Sequence, residues 1–145
     1  MLGDPQVIRV LNQLLVAEQR SLVLRLTQST PYISWASADE LDVIQQMIRE
    51  EAEHVGWVSE QIVALGTAPE PVLEAIDSGD IHYVELSFIW PRIVKSKREL
   101  LAAYEAALGE LPADHEATGV VRRIRDRYRE HISQLERFAE SMSSS

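Results

Sequence analysis

The chain has 145 residues, 46% of them apolar, which suits one domain with a proper core. Its net charge of -9, from 23 acidic and 14 basic side chains, repels nucleic acid and anionic membrane and favours cations. Cysteine is absent, which excludes disulfides, thiolate zinc, iron–sulfur clusters and thiol catalysis.

Asp4-Pro5 reads as an N-cap followed by proline at the first helical position. A helical stripe follows through Val7, Leu11, Leu14, Leu15, Glu18, Leu22 and Arg25, and Thr30-Pro31 stops it. The loop from Tyr32 to Ala36 is short, so the first two helices are expected to be antiparallel neighbours. Ser37-Ala38-Asp39-Glu40 is a capping box. Ile44, Met47, Ile48, Glu51, Val55, Val58, Ile62 and Leu65 then mark the buried face of the second helix, with Gly66 just past its end. A connector from Thr67 to Gly79 holds Pro69, Pro71 and a short turn at Val72 to Ile76. A third helix is expected from Asp80 to Leu108, kinked at Pro91. Gly109 to Pro112 is a tight turn, and a fourth helix runs from Asp114 to Ser141.

The composition and these stripes predict an all-α fold in one domain, residues 1–142, with a Ser-rich tail at 143–145. A helix of about 28 residues is ~42 Å long, and a connector of about 13 residues reaches ~45 Å. The connector therefore spans the bundle lengthwise. Two antiparallel hairpins joined by one long crossover is the ferritin-like four-helix arrangement.

The chemistry sits on the apolar stripes. Glu51 and His54 are three residues apart, so carboxylate and imidazole share one helix face. Glu18 lies on the helix before. One Glu on one helix and Glu-x-x-His on the next is half the inward ligand set of a di-iron bundle. His131 is the imidazole expected from the fourth helix. His82 and His115 fall at helix starts and are expected to face solvent. Arg122, Arg123, Arg125, Arg127 and Arg129 read as a solvated face. Trp35, Trp57 and Trp90 suit packing or, for Trp57, an interface between copies. Phosphate loops, nucleophile elbows and nucleic-acid motifs are absent.

The string Gly3-Asp4-Pro5-Gln6-Val7-Ile8, then Leu11-Asn12-Gln13-Leu14-Leu15, Glu18, Trp35, Glu51-x-x-His54, Ile62, Leu65 and Pro69, resembles bacterioferritin within the ferritin-like superfamily. The resemblance covers the first half of the chain. Glu130-His131-Ile132 with Leu135-Glu136 is similar to the family's last metal-binding helix. The resemblance implies a dimer-forming, iron-handling bundle that oxidises ferrous iron with oxygen or peroxide.

Three departures bear on that expectation. Tyr128 stands where the family's second Glu-x-x-His places Glu. The facing position on the third helix, level with Tyr128 across a turn near 111 or 112, is Lys95, with Glu99 one turn away and Glu85 and Glu105 further off. Ala52 stands where the family places its haem-ligating methionine, so no haem is expected. The family's fifth helix is also missing, which favours a dimer over a hollow shell.

A carboxylate buried without compensation costs several kcal/mol or shifts its pKa, so Glu18 and Glu51 need a positive partner. One candidate is a metal. Glu18, Glu51, His54 and His131 would hold iron or another divalent ion, one ion rather than two, with weak or no ferroxidase activity. Tyr128 would be a neighbour or a phenolate ligand. The other candidate is protein, a metal-free dimeric scaffold in which Lys95 and Arg25 supply the metal's charge. A metal-dependent oxidase or oxygenase with a cavity beside Tyr128 is the third reading. A location in the cytoplasm is expected, since neither a signal peptide nor a membrane span is visible.

Overall fold

The computed structural model describes residues 3–21, 33–34, 38–69 and 84–143. Among them are four α-helices: α1 (Pro5–Gln19), α2 (Ala38–Ala64), α3 (Leu86–Glu110) and α4 (Glu116–Ser143). Two short strands, β1 (Ile33–Ser34) and β2 (Val84–Glu85), pair in parallel, with Ile33 opposite Val84. No helix among the described residues is long and apolar enough to cross a membrane.

Each helix offers one stripe to a common core. On α1 it is Val7, Val10, Leu11, Leu14, Leu15 and Glu18, the three- and four-residue spacing of one helix face. On α2 it is Ile44, Met47, Glu51, His54, Val58 and Ile62. Ile93, Lys97, Leu100, Tyr104 and Ala107 form the stripe of α3, and Ala117, Val121, Ile124, Tyr128, His131 and Leu135 that of α4. Four of these stripes thus carry a polar or charged side chain at corresponding depth in the bundle. α1 packs on α2 and α3, and α4 packs on α2 and α3.

The caps follow from local chemistry. Asp4 accepts from the Gln6 amide at 2.9 Å, with Pro5 opening α1. α2 ends in a Schellman motif: the Gly66 amide bonds to Val63 O at 2.9 Å and the Thr67 amide reaches Ile62 O at 3.5 Å. Gly66 holds φ at 92°, a region that penalises a Cβ. Gly66→Ala is expected to lower stability by about 1–2 kcal/mol, read from the urea midpoint. His115 caps α4, its Nδ1 accepting from the Ala117 amide at 3.0 Å. It is half-buried, not solvent-facing as its position suggested.

Several boundaries differ from the sequence expectation. α1 ends at Gln19, well before Thr30-Pro31. There the Arg20 amide is shared between Val16 O and Ala17 O, and the Ser21 amide bonds to Glu18 O, a tightened final turn. α3 starts at Leu86 and not at Asp80, because Val84 and Glu85 are taken into the parallel pair with β1. Its far end reaches Glu110, and α4 runs 116–143. Pro91 lies inside α3 and is exposed. The capping Ser37, Trp35, the turn at Val72 to Ile76 and His82 lie outside the described residues, as do Leu22 and Arg25.

Candidate functional site

The polar positions of the four stripes meet in one buried cluster. Glu18, Glu51 and Lys97 are fully enclosed, as are Tyr104 and Tyr128, and His54 and His131 are nearly so. The ammonium of Lys97 forms an ion pair with Glu51 Oε2, and both side chains are wholly shielded from solvent. Lys97 Nζ also sits 4.2 Å from the centre of the Tyr128 ring, a cation over an aromatic face.

Glu18 is held by phenols. Tyr104 and Tyr128 both donate to Glu18 Oε1, at 2.7 and 2.6 Å. Burial, and then the charge of Glu51, push the Glu18 carboxyl up to about 8. Near neutral pH it is therefore mostly protonated, which leaves the Lys97–Glu51 pair as the charge of the centre. Tyr128 has one hydroxyl proton, given to Glu18. At the 2.8 Å contact with Tyr128, His54 Nδ1–H is then the donor. Burial, reinforced by the Lys97 charge, pulls His54 down to about 4, so the ring is neutral. Burial pushes both tyrosines well above their ordinary range, and the nearby Glu18 adds to this.

His131 packs against the Tyr128 ring, centroids 5.4 Å apart, but spends its hydrogen bond elsewhere. Its Nε2 bonds to Glu50 Oε2 at 2.5 Å, and Glu50 also receives Arg127 through Nη2 at 2.6 Å and Nε at 2.9 Å. Burial and then the Lys97 charge pull His131 down to about 3, against the opposing pull of Glu50. Burial alone would raise Glu50, but the Arg127 and His131 hydrogen bonds overcome it and hold its carboxyl below the usual range. His131 Nδ1, Glu18 Oε2 and Glu51 Oε1 are buried without a hydrogen-bond partner.

The sequence grouped Glu18, Glu51, His54 and His131 as one ligand set with Tyr128 as a neighbour; in the structure Glu18 and His54 bond to Tyr128, Glu51 bonds to Lys97, and His131 turns to Glu50. Lys95 is corrected: it is exposed on α3, and Lys97 supplies the internal cation. Glu99 is likewise exposed, away from the centre. Arg127 leaves the solvated arginine face to clamp Glu50. Lys97, Tyr104 and Glu50 are the members that sequence reasoning missed. Ala52 is exposed on α2.

No protein-family model, curated protein or solved structure matches this chain. The site is therefore judged on its own donors. Among the described residues, no three Glu, Asp or His side chains converge closely enough to hold a metal ion. A divalent ion needs several anionic or imidazole ligands on one point. Here Glu51 Oε2 takes an ammonium, Glu18 Oε1 two phenols, His54 bonds to Tyr128 and His131 to Glu50, so the four side chains do not turn to one point. These residues do not fit a metal in this arrangement.

Proposed function

We propose that this protein is a metal-free, ferritin-like four-helix scaffold that pairs with a second copy of itself. The observation that carries the reading is the buried Lys97–Glu51 ion pair, which supplies the positive charge a metal would otherwise bring. An uncompensated carboxylate in this position would be costly, and the ammonium removes the need for an ion from solution.

The ferritin-like path is supported by which residues meet. Gly3 bonds to Leu65 at one end of α1 and α2, whereas Glu18 and Glu51 meet further along, so the two helices run oppositely. Arg98 pairs with Glu136 and Arg129 with Glu105, the pattern of an antiparallel α3–α4 hairpin. β1 precedes α2 by a few residues and β2 leads directly into α3, so their parallel pairing brings the starts of α2 and α3 to one end. The end of α2 and the start of α3 then lie at opposite ends of the bundle, which supports the single-crossover order of ferritin-like folds.

Self-association fits the outer face of α2, where Val63 is 60% exposed, next to the exposed Ala64 and the half-buried Trp57. Val63→Lys is expected to move the sedimentation equilibrium from dimer towards monomer without changing helicity. An unchanged dimer would put the contact elsewhere.

The metal reading is tested by anaerobic ferrous loading of wild type beside a Glu51→Ala/His54→Ala variant, followed by metal analysis. The expected result is no stoichiometric iron that depends on Glu51 and His54. One or more equivalents bound by wild type and lost in the variant would restore the iron-binding reading and overturn the scaffold.

A further inference from the structure

We infer that the centre is a binding site for a primary ammonium ion, and that Lys97 is its tethered occupant. The inference rests on the metal-free reading above and names the ligand chemistry of that same cluster. Three features surround Lys97 Nζ. The Glu51 carboxylate takes it directly, and the Tyr128 ring face lies 4.2 Å away. The Glu18 carboxyl lies close enough for the Lys97 charge to act on it. An aromatic face with one carboxylate suits a soft, organic cation, because a π face binds an ammonium but offers a hard divalent ion no lone pair.

The chemistry favours ammonium over metal for a second reason. Glu51 Oε1 is buried without a hydrogen-bond partner, so the carboxylate that takes the cation keeps acceptor capacity. A primary ammonium has three N–H donors to distribute among such acceptors. A metal would require ligands to converge, and among the described residues none do. The other charged groups of the interior are neutral or already matched. His54 and His131 are uncharged near neutral pH, and Glu50 is paired with Arg127. Among the described residues, taking Lys97 away leaves Glu51 facing the space of a short alkyl stem with no cation against it.

Lys97→Ala removes the Cγ, Cδ and Cε carbons and Nζ, which together are the atoms of propylammonium. The vacated space therefore has the shape and charge preference of that ion. The experiment follows the melting temperature of Lys97→Ala during titration with propylammonium chloride, beside sodium chloride at equal ionic strength, tetramethylammonium chloride and zinc chloride. Propylammonium is expected to raise the melting temperature by several degrees in a saturable way, as a ligand specific for the folded state does. Sodium and tetramethylammonium should have no such effect, wild type should not respond, and Lys97→Ala/Glu51→Gln should lose the response.

A folded Lys97→Ala that propylammonium raises no further than sodium chloride would overturn the inference. So would an equal response in wild type, or a larger response to zinc. If Lys97→Ala is unfolded without ligand, Lys97→Ala/Glu18→Gln keeps Glu51 and Tyr128 while removing the second acid, and the same titration decides. Failure here is distinct from failure of the scaffold reading. Wild type that loads iron overturns the scaffold, whereas iron-free wild type with an unresponsive Lys97→Ala overturns the ammonium site alone.

Discussion

Lys97→Met is expected to destabilise the fold by about 3–5 kcal/mol at pH 7, the usual cost of breaking a buried ion pair from one side. Methionine keeps most of the stem and so most of the packing, but it removes the charge. Glu51 is then an anion enclosed by apolar groups and phenols, beside a second carboxyl on α1. Most single domains have only about 5–15 kcal/mol in total, so this loss is a large fraction. The companion variant Lys97→Met/Glu51→Leu removes both charges and is expected to recover most of the loss, because an apolar pair of similar size replaces an ion pair at little net cost. Urea unfolding of wild type, both singles and the double gives the coupling energy. A cost under about 1 kcal/mol for Lys97→Met would mean that the ammonium does not compensate Glu51.

Why Lys97 was not read from the sequence is instructive. The antiparallel turn near residue 111 gives the level of each residue of α3 against α4, and that argument pointed at Lys95. Level alone does not say which side chain faces inward. The stripe Ile93, Lys97, Leu100, Tyr104 and Ala107 does, and it passes two residues from Lys95. Lysine is almost never fully buried without a partner, so an interior reading of Lys97 needed Glu51 to be placed opposite first. The same stripe carries Tyr104, whose hydroxyl finds Glu18 across the core. Glu18, Glu51 and His54 were legible because each interrupts an otherwise apolar stripe at the right spacing. Glu50 was not, since it lies one residue off the α2 stripe, on its flank. Only the approach of α4 gives it His131 and Arg127. Four helices, and the inner faces of the first two, were therefore readable. The entry of α3 was not, because the pairing of Val84–Glu85 with Ile33–Ser34 joins segments far apart in the chain.

Stability is expected to peak near pH 6.5, and the signs of the buried groups set that position. Glu18 titrates at about 8 in the fold against 4.5 ordinarily, so the folded chain keeps a proton that the unfolded chain has lost. Its contribution is complete below pH 4.5 and is lost as the pH rises through 8. His54 and His131 act in the opposite sense. They titrate at about 4 and about 3 in the fold against 6.5, so the unfolded chain takes up protons that the folded chain refuses. Their contribution is complete above pH 6.5 and is lost as the pH falls towards 3. Glu50, held below its usual range, adds to the loss on the acid side. Between 4.5 and 6.5 two imidazoles outweigh one carboxyl, and stability rises with pH. From 6.5 to 8 Glu18 is the one of these groups that is changing, and stability falls by about 2 kcal/mol, since each unit carries ~1.4 kcal/mol per proton. Glu18→Gln isolates this limb. The amide oxygen still accepts from Tyr104 and Tyr128, and no ionisation remains at that position. Melting temperatures of the variant should be level from pH 6.5 to 8.5 and exceed those of wild type at the upper end. A wild type that melts at the same temperature throughout that interval would show that Glu18 ionises as an ordinary carboxylate, and that the centre carries a second negative charge that Lys97 alone does not match.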